Sequence, residues 1–275
     1  MKTATFPRAA WISAVLALAA LLLPLGAPAR AETEAPKKPK KPRTIVVLTF
    51  DDGDATHLAV ARMLQKRGMR GTFYVNSATL GDEEKLTTRE LAAIAKAGHE
   101  IGGHTLNHSR LTELLPDQQR TQICDDRRAL MKMGYRVTTL AYPFGSVDAD
   151  AKRTAKSCGY NAARVVGGIR QWNCPGCPPA ESLPPADRWG IRSPGSFTEE
   201  TQVRQMRQLV LNAEKTGGLI PLVFHRVCAG CGWYSNSPGD VEEFLDWLAS
   251  RKSRGTVVRT MAEAIGGPLR PMPKG

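Results

Sequence analysis

Several things are missing from this sequence, and each absence narrows what the chain can be. The longest apolar run, Ala14 to Leu25, is too short for a bilayer-spanning helix, which needs about 20 such residues. No cysteine follows the small-residue site Ala29-Arg30-Ala31, so a lipid anchor has no acceptor there. No internal repeat is evident, and nothing reads as a nucleic-acid-binding module. Histidine is scarce: His57, His99, His104, His108 and His225 are the whole complement.

What is present begins with an export signal. Lys2 and Arg8 precede the apolar run, and the run precedes the small-x-small site, so residues 1–31 are predicted to be a signal peptide, with an uncleaved anchor as the alternative. Residues 32–43, rich in Lys and Pro, read as a stiff, solvated linker. Residues 44–275 are long enough for one domain with a full core. The formal charge is +12, of which Lys2, Arg8 and Arg30 carry three and the linker five cations. Outside a cell, such a field attracts anionic wall polymers and lipid headgroups. The chain is therefore expected to be secreted, extracellular or wall-associated, with electrostatic attachment to an anionic surface, and monomeric.

Six cysteines in an exported chain suggest three disulfides. Cys174-Pro-Gly-Cys177 and Cys228-Ala-Gly-Cys231 share the spacing of a four-cysteine zinc site, which is the rival reading. Under the disulfide reading Cys124 and Cys158 pair by elimination. Whether the other four bridge within or between their motifs stays open.

From Thr44 onward, short apolar strands alternate with amphipathic helices. Strands are predicted at 44–48, 71–76, 100–104, 137–141, 162–166, 189–192, 219–224 and 256–259. Helices are predicted at 57–67, from Thr87 or Thr88 to Gly98, and at 116–133, 148–158, 198–215, 241–252 and 261–265. The segment 167–185 reads as a long, stapled loop. This alternation implies an α/β fold, a distorted (β/α) barrel of seven or eight parallel strands.

Polar residues recur where strands end: Asp51, Asp52, His104, His108 and His225. In such folds the strand carboxyl ends converge on one mouth. Asp-Asp-Gly is also an ordinary turn, and His104-Thr-Leu-Asn-His108 alone could be a solvated one. Together, one carboxylate and two imidazoles four residues apart, on one helical turn after the strand, suit a divalent metal. The second Asp can then deprotonate a water, and His225 can protonate a leaving group. His57 and His99 read as structural.

These motifs resemble the polysaccharide deacetylases with a NodB-homology domain, carbohydrate esterase family four. Thr49-Phe-Asp-Asp-Gly53 matches the first family motif, His104-Thr-Leu-Asn-His108 the second, Tyr142-Pro-Phe-Gly145 part of the third, and the strand ending in His225 the fifth. The resemblance spans roughly Arg43 to Ile265. It implies Asp51 as general base, Asp52, His104 and His108 as metal ligands, His225 as general acid, and the Phe144 backbone N–H as an oxyanion donor. The metal it implies is zinc, with cobalt or another first-row ion as alternatives.

The chain departs from the family pattern at three places. Ala141 stands where members often carry an Arg that orients the base. Asp187-Arg-Trp189 only loosely echoes the fourth motif, and Val223 replaces a Leu in the fifth. Arg192, ending its own short strand, is the candidate for the missing Arg. Trp172, Trp189, Trp233 and Tyr234 are expected to pack the loop layer, with a platform for a sugar ring as the alternative. The activity implied is removal of acetyl groups from an N-acetylated polysaccharide, a wall or extracellular N-acetylglucosamine polymer. The alternatives are an acetyl-ester esterase on xylan-type polysaccharide and a catalytically silent carbohydrate-binding module.

Overall fold

The computed structural model describes Met1 and residues 44–272; the predicted signal peptide, apart from Met1, and the basic linker lie outside the described residues. Chain order runs β1 (Thr44–Phe50), α1 (His57–Lys66), β2 (Thr72–Val75), α2 (Thr88–Lys96), β3 (Glu100–Gly103), α3 (Pro116–Arg120), α4 (Asp126–Lys132) and β4 (Thr139–Ala141). It continues with α5 (Ala149–Ser157), β5 (Ala162–Gly168), β6 (Ile191–Ser193), α6 (Val203–Thr216), β7 (Gly218–Phe224), β8 (Arg226–Val227), β9 (Ser235–Asn236), α7 (Pro238–Ser250), β10 (Thr256–Val258) and α8 (Met261–Ile265). Among the described residues no helix is long and apolar enough to cross a membrane.

The main sheet is parallel and nearly closed, as the strand–helix alternation predicts. β7 pairs with β1 along its whole length, from Thr44 opposite Gly218 to Phe50 opposite Phe224. The other edge of β1 is shared: β10 pairs with its first half and β2 with its last two residues. From β2 the sheet proceeds through β3, β4 and β5 to β6. Two loop contacts carry the remaining gap between β6 and β7: Glu181 bridges Leu219, and the Phe197 N–H donates to the Val223 carbonyl at 2.9 Å. Eight strands thus build a distorted (β/α) barrel, seven around its circuit and β10 alongside.

Strand periodicity decides what faces the barrel axis. Val46, Leu48 and Phe50 join the large cluster between sheet and helices, whereas Ile45 and Val47 join Ala162, Ile191, Leu219 and Met261 inside. Phe50 stacks on Phe224 and on Phe73, with ring centroids 5.3 and 5.0 Å apart. Because Phe50 and Phe224 point outward and are locked together, the residues that follow them, Asp51 and His225, turn inward side by side. Near α8, Glu100 accepts from Thr72 and Thr139 hydroxyls and from the Ala262 N–H, so this buried carboxyl is fully tied.

Local signals explain most element ends. Thr87 and Glu90 form a capping box on α2, Asp148 caps α5, and Ser237 with Pro238 opens α7. Two expectations need correction. The helix expected at 198–215 begins at Val203, because Thr198 is held in a turn by Thr201. The helix expected at 116–133 is interrupted by a π turn at Thr121–Asp125. That extra residue shifts the helical phase, so Ile123, Cys124, Asp126 and Arg127 are all buried.

The cysteines close as Cys124–Cys158, Cys174–Cys177 and Cys228–Cys231, with no free cysteine among the described residues. Each C-x-x-C motif is bridged within itself, which removes the structural-zinc alternative. Trp189 packs against the core as expected. Trp172, Trp233 and Tyr234 do not: they are 87%, 50% and 51% exposed. Their loops are tied by backbone hydrogen bonds and the two short disulfides.

Candidate active site

Asp51, Asp52, His104, His108 and His225 meet at the carboxyl end of the barrel. Asp52 Oδ1 lies 3.3 Å from His104 Nε2 and 3.2 Å from His108 Nε2. One ligand atom from each of the three residues falls within 4.8 Å of the others. The tautomer of His104 is set from behind, since its Nδ1 lies 2.7 Å from the Ala141 carbonyl, an acceptor only. Nδ1 therefore carries the proton and Nε2 offers its lone pair inward. Asp52 Oδ1 is buried and has no hydrogen-bond donor among the described residues. A buried carboxylate oxygen facing two imidazole nitrogens is a donor set that a divalent cation fits.

The route to this convergence differs from the expected helical turn. Residues 104–108 form an irregular loop in which Thr105 and His108 adopt φ of 67° and 63°. Asp52, at φ 75°, and Phe144, at φ 58°, are also left-handed. Of the five non-glycine residues with positive φ among the described residues, four stand at this mouth. Such conformations cost about 1–3 kcal/mol each and persist where surrounding structure enforces them. Here the enforcement is visible. The Asn76 side-chain amide donates to the carbonyls of His104 and Thr105, and Asp126 accepts the His104 N–H at 3.0 Å and the Ser77 N–H at 2.9 Å. Gly103 is required beside this clamp, because a Cβ there would collide with the Tyr160 hydroxyl and crowd Asp126.

Asp51 is buried and ion-paired through Oδ2 with the guanidinium of Arg164, itself fully buried. Burial works to raise the Asp51 carboxyl, but Arg164, then His104 and His225, outweigh it and hold the group below the usual carboxylate range. Its other oxygen, Oδ1, has no donor among the described residues. Arg164 corrects the expectation for Arg192. On β6, Ile191 and Ser193 are buried, so Arg192 points to the opposite side and takes Glu181 in a fork at 2.7 and 2.8 Å. Arg164 shares the inward face of β5 with Ala162 and stands directly opposite Ala141 in the β4–β5 register. The cation absent at position 141 is thus supplied by the neighbouring strand.

His225 is positioned through its backbone, where its carbonyl lies 2.7 Å from His57 Nε2. Burial pushes its imidazole below the ordinary value, although Asp51 and Asp52 pull the other way, so its resting form is neutral. Its ring lies 5.0 Å from that of Tyr234, and its Nδ1 has no partner among the described residues. The loosely echoed fourth motif is not part of the site: Asp187 pairs with Lys152 at 2.6 Å and accepts the Trp189 N–H. His57 and His99 are structural as expected, His99 accepting the Gly71 N–H and facing the Ala61 carbonyl.

Tyr142-Pro143-Phe144-Gly145 forms a turn closed by the Gly145 N–H on the Tyr142 carbonyl at 3.0 Å. Proline second and a left-handed residue third describe a type II turn, whose own hydrogen bond leaves the Phe144 N–H out. The exposed Phe144 ring lies 4.4 Å from that of His108 and carries the Arg110 guanidinium on it at 4.2 Å. Arg164, Asp126 and Asn76 escaped the sequence reading. Arg164 had a signal, a charge inside the otherwise apolar strand Ala162 to Val166. Asp126 had none, since Asp125-Asp126-Arg127-Arg128 reads as a solvated helix face until the π turn rotates it inward.

Over residues 38–163 the chain is similar to the polysaccharide deacetylases, whose family model it matches there, and its barrel has the fold of carbohydrate esterase family four. Among curated relatives, YxkH of Bacillus subtilis (strain 168), provisionally named a polysaccharide deacetylase, is 31% identical over 126 residues, 45% of this chain and 44% of that protein. PgdA of Listeria monocytogenes, a peptidoglycan-N-acetylglucosamine deacetylase, is 30% identical over 130 residues, 46% of this chain and 26% of that protein. The chain thus spans less than half the length of either. A family 4 acetyl xylan esterase from Clostridium thermocellum, solved with a cobalt ion, shares the fold at a TM-score of 0.56 and 24% identity, covering 80% of this chain and 90% of that one.

Proposed function

We propose that this chain is an exported, metal-dependent hydrolase that removes acetyl groups from an N-acetylated wall or extracellular polysaccharide. The observation that carries the reading is the adjacency, at one mouth, of the Asp52–His104–His108 donor set and the Arg164-paired Asp51. Curated relatives matched over 46%, 41% and 49% of the chain are named for peptidoglycan N-acetylglucosamine, N-acetylmuramic acid and chitooligosaccharide. These are acetamides on sugars, which favours amide over ester as the bond cleaved. Export is supported by the N-terminal pattern of residues 1–31 and by the three disulfides.

Asp52, His104 and His108 would hold the ion, zinc or another first-row divalent metal. Bound there, it supplies Lewis acidity toward an acetyl carbonyl and acidifies water nearby. Asp51 accepts the water proton on Oδ1, the oxygen Arg164 leaves free, and Arg164 keeps Asp51 ionised and fixes its rotamer. The Phe144 N–H, outside its turn's hydrogen bond, donates to the oxyanion as negative charge develops. His225, neutral at rest, takes up the proton that Asp51 accepted from the water and delivers it to the departing amine, so that both residues end as they began. The test is an acetate-release screen over chitin oligomers, peptidoglycan, poly-N-acetylglucosamine and acetylxylan, with and without chelator. Chelator-sensitive release from an acetamide polymer is expected; turnover unaffected by complete metal removal, or release from acetylxylan alone, overturns the reading.

A further inference from the structure

The loop after β7 is tied down more heavily than its length requires. β8 and β9 pair at its neck, and Cys228–Cys231 staples it. The Arg226 N–H donates to the Tyr234 carbonyl at 3.1 Å, and its guanidinium reaches the Cys231 carbonyl at 3.2 Å. That guanidinium also pairs with Asp54 and Glu84 at 3.2 and 2.6 Å. The Glu199 N–H donates to the Trp233 carbonyl at 2.9 Å, and Ser235 Oγ to the Gly232 carbonyl at 2.6 Å.

Ordering a loop costs backbone entropy at every residue, and aromatic rings left half in water return little toward that cost. Here the ordered product is two half-exposed rings, Trp233 and Tyr234, one of them in contact with the imidazole of His225. Rigid aromatic surface held next to a candidate catalytic imidazole is pre-organised for a ligand. The nearby cation, Arg226, is already engaged by two carboxylates, so the platform offers apolar faces rather than a charge. The ligand chemistry this suits is the C–H face of a pyranose ring.

We propose that Trp233 and Tyr234, held by the Cys228–Cys231 loop, form a sugar-stacking subsite that grips a ring of the polymer beside His225. The inference rests on the polysaccharide reading and adds to it the residues that bind the chain next to the scissile acetyl group. It is tested by binding, in an Asp51→Asn background so that no polymer is consumed. The full chain is mixed with N-acetylglucosamine hexasaccharide and co-sedimented with chitin, peptidoglycan and xylan. Trp233→Ala should weaken binding of the preferred polymer about three- to tenfold, and Trp233→Phe should restore most of it. A Cys228→Ser/Cys231→Ser double variant should lose a similar factor, by freeing the loop. Equal affinity of the Trp233→Ala and parent chains, or no polymer bound by the parent, overturns the proposal. Acetate release by the wild-type chain is measured separately. Trp233-dependent binding without release sinks the deacetylase reading and leaves the subsite standing; release with Trp233-independent binding does the reverse.

Discussion

The two ends of the barrel interior are built on opposite principles. At the amino end, Ile45, Val47, Ala162, Ile191, Leu219 and Met261 close-pack, and the buried charge there, Glu100, has a donor from three directions. At the carboxyl end, four non-glycine residues hold left-handed backbones, and Asp51 Oδ1, Asp52 Oδ1 and His225 Nδ1 are buried without partners among the described residues. One end spends its residues on stability. The other keeps strain and unmet polar capacity in reserve, which is where a reacting group can be received.

Changes at the two ends should therefore separate activity from stability. The largest effect belongs to the donor set: His104→Ala or chelation should lower turnover by roughly 10³-fold or more and remove bound metal, read by acetate release and metal analysis. Asp51→Asn should lose turnover while keeping the metal. Loss of metal from that variant would exchange the roles of the two Asp residues.

Next comes the cation beneath Asp51. Arg164→Met should lower kcat by about one to three orders of magnitude, roughly 1.4 to 4 kcal/mol. It should also cost about 3 kcal/mol of stability, because Asp51 is left buried and unpaired. Moving the cation back across the ladder, in Ala141→Arg/Arg164→Ala, should recover a measurable part of both. Arg192→Met should leave kcat within about twofold; a loss matching that of Arg164→Met would restore Arg192 to the site.

At the amino end, Leu219→Ala should cost about 2–5 kcal/mol by denaturant melt with kcat little changed. A matching fall in kcat would erase the contrast between the ends. The smallest effect is expected at Asp187, whose pair with Lys152 is half-exposed. Asp187→Ala should stay within about 1 kcal/mol and keep full turnover; an inactive variant would place the fourth motif back in the mechanism.

Much of this was readable along the chain. Period-2 apolar runs, helical stripes and capping residues are local, so the strand–helix alternation and the barrel class followed from near neighbours alone. Asp51, Asp52, His104, His108 and His225 were found because strand ends share one mouth in such folds, a rule that needs no coordinates. The support around them was decided elsewhere. Arg164 and Arg192 are both arginines on neighbouring strands, and only the register of β4 with β5 and the facing of β6 assign one to Asp51 and the other to Glu181. Asp126 reaches the His104 loop because a π turn changes the phase of its helix, an event no residue pattern announced. The loop after β7 declares its two cysteines in the sequence, yet the half-exposure of Trp233 and Tyr234 follows from how its neck is tied. Propensity and periodicity act over a few residues, whereas which side chains share a cavity depends on pairings more than a hundred residues apart, such as Arg164 with Asp51.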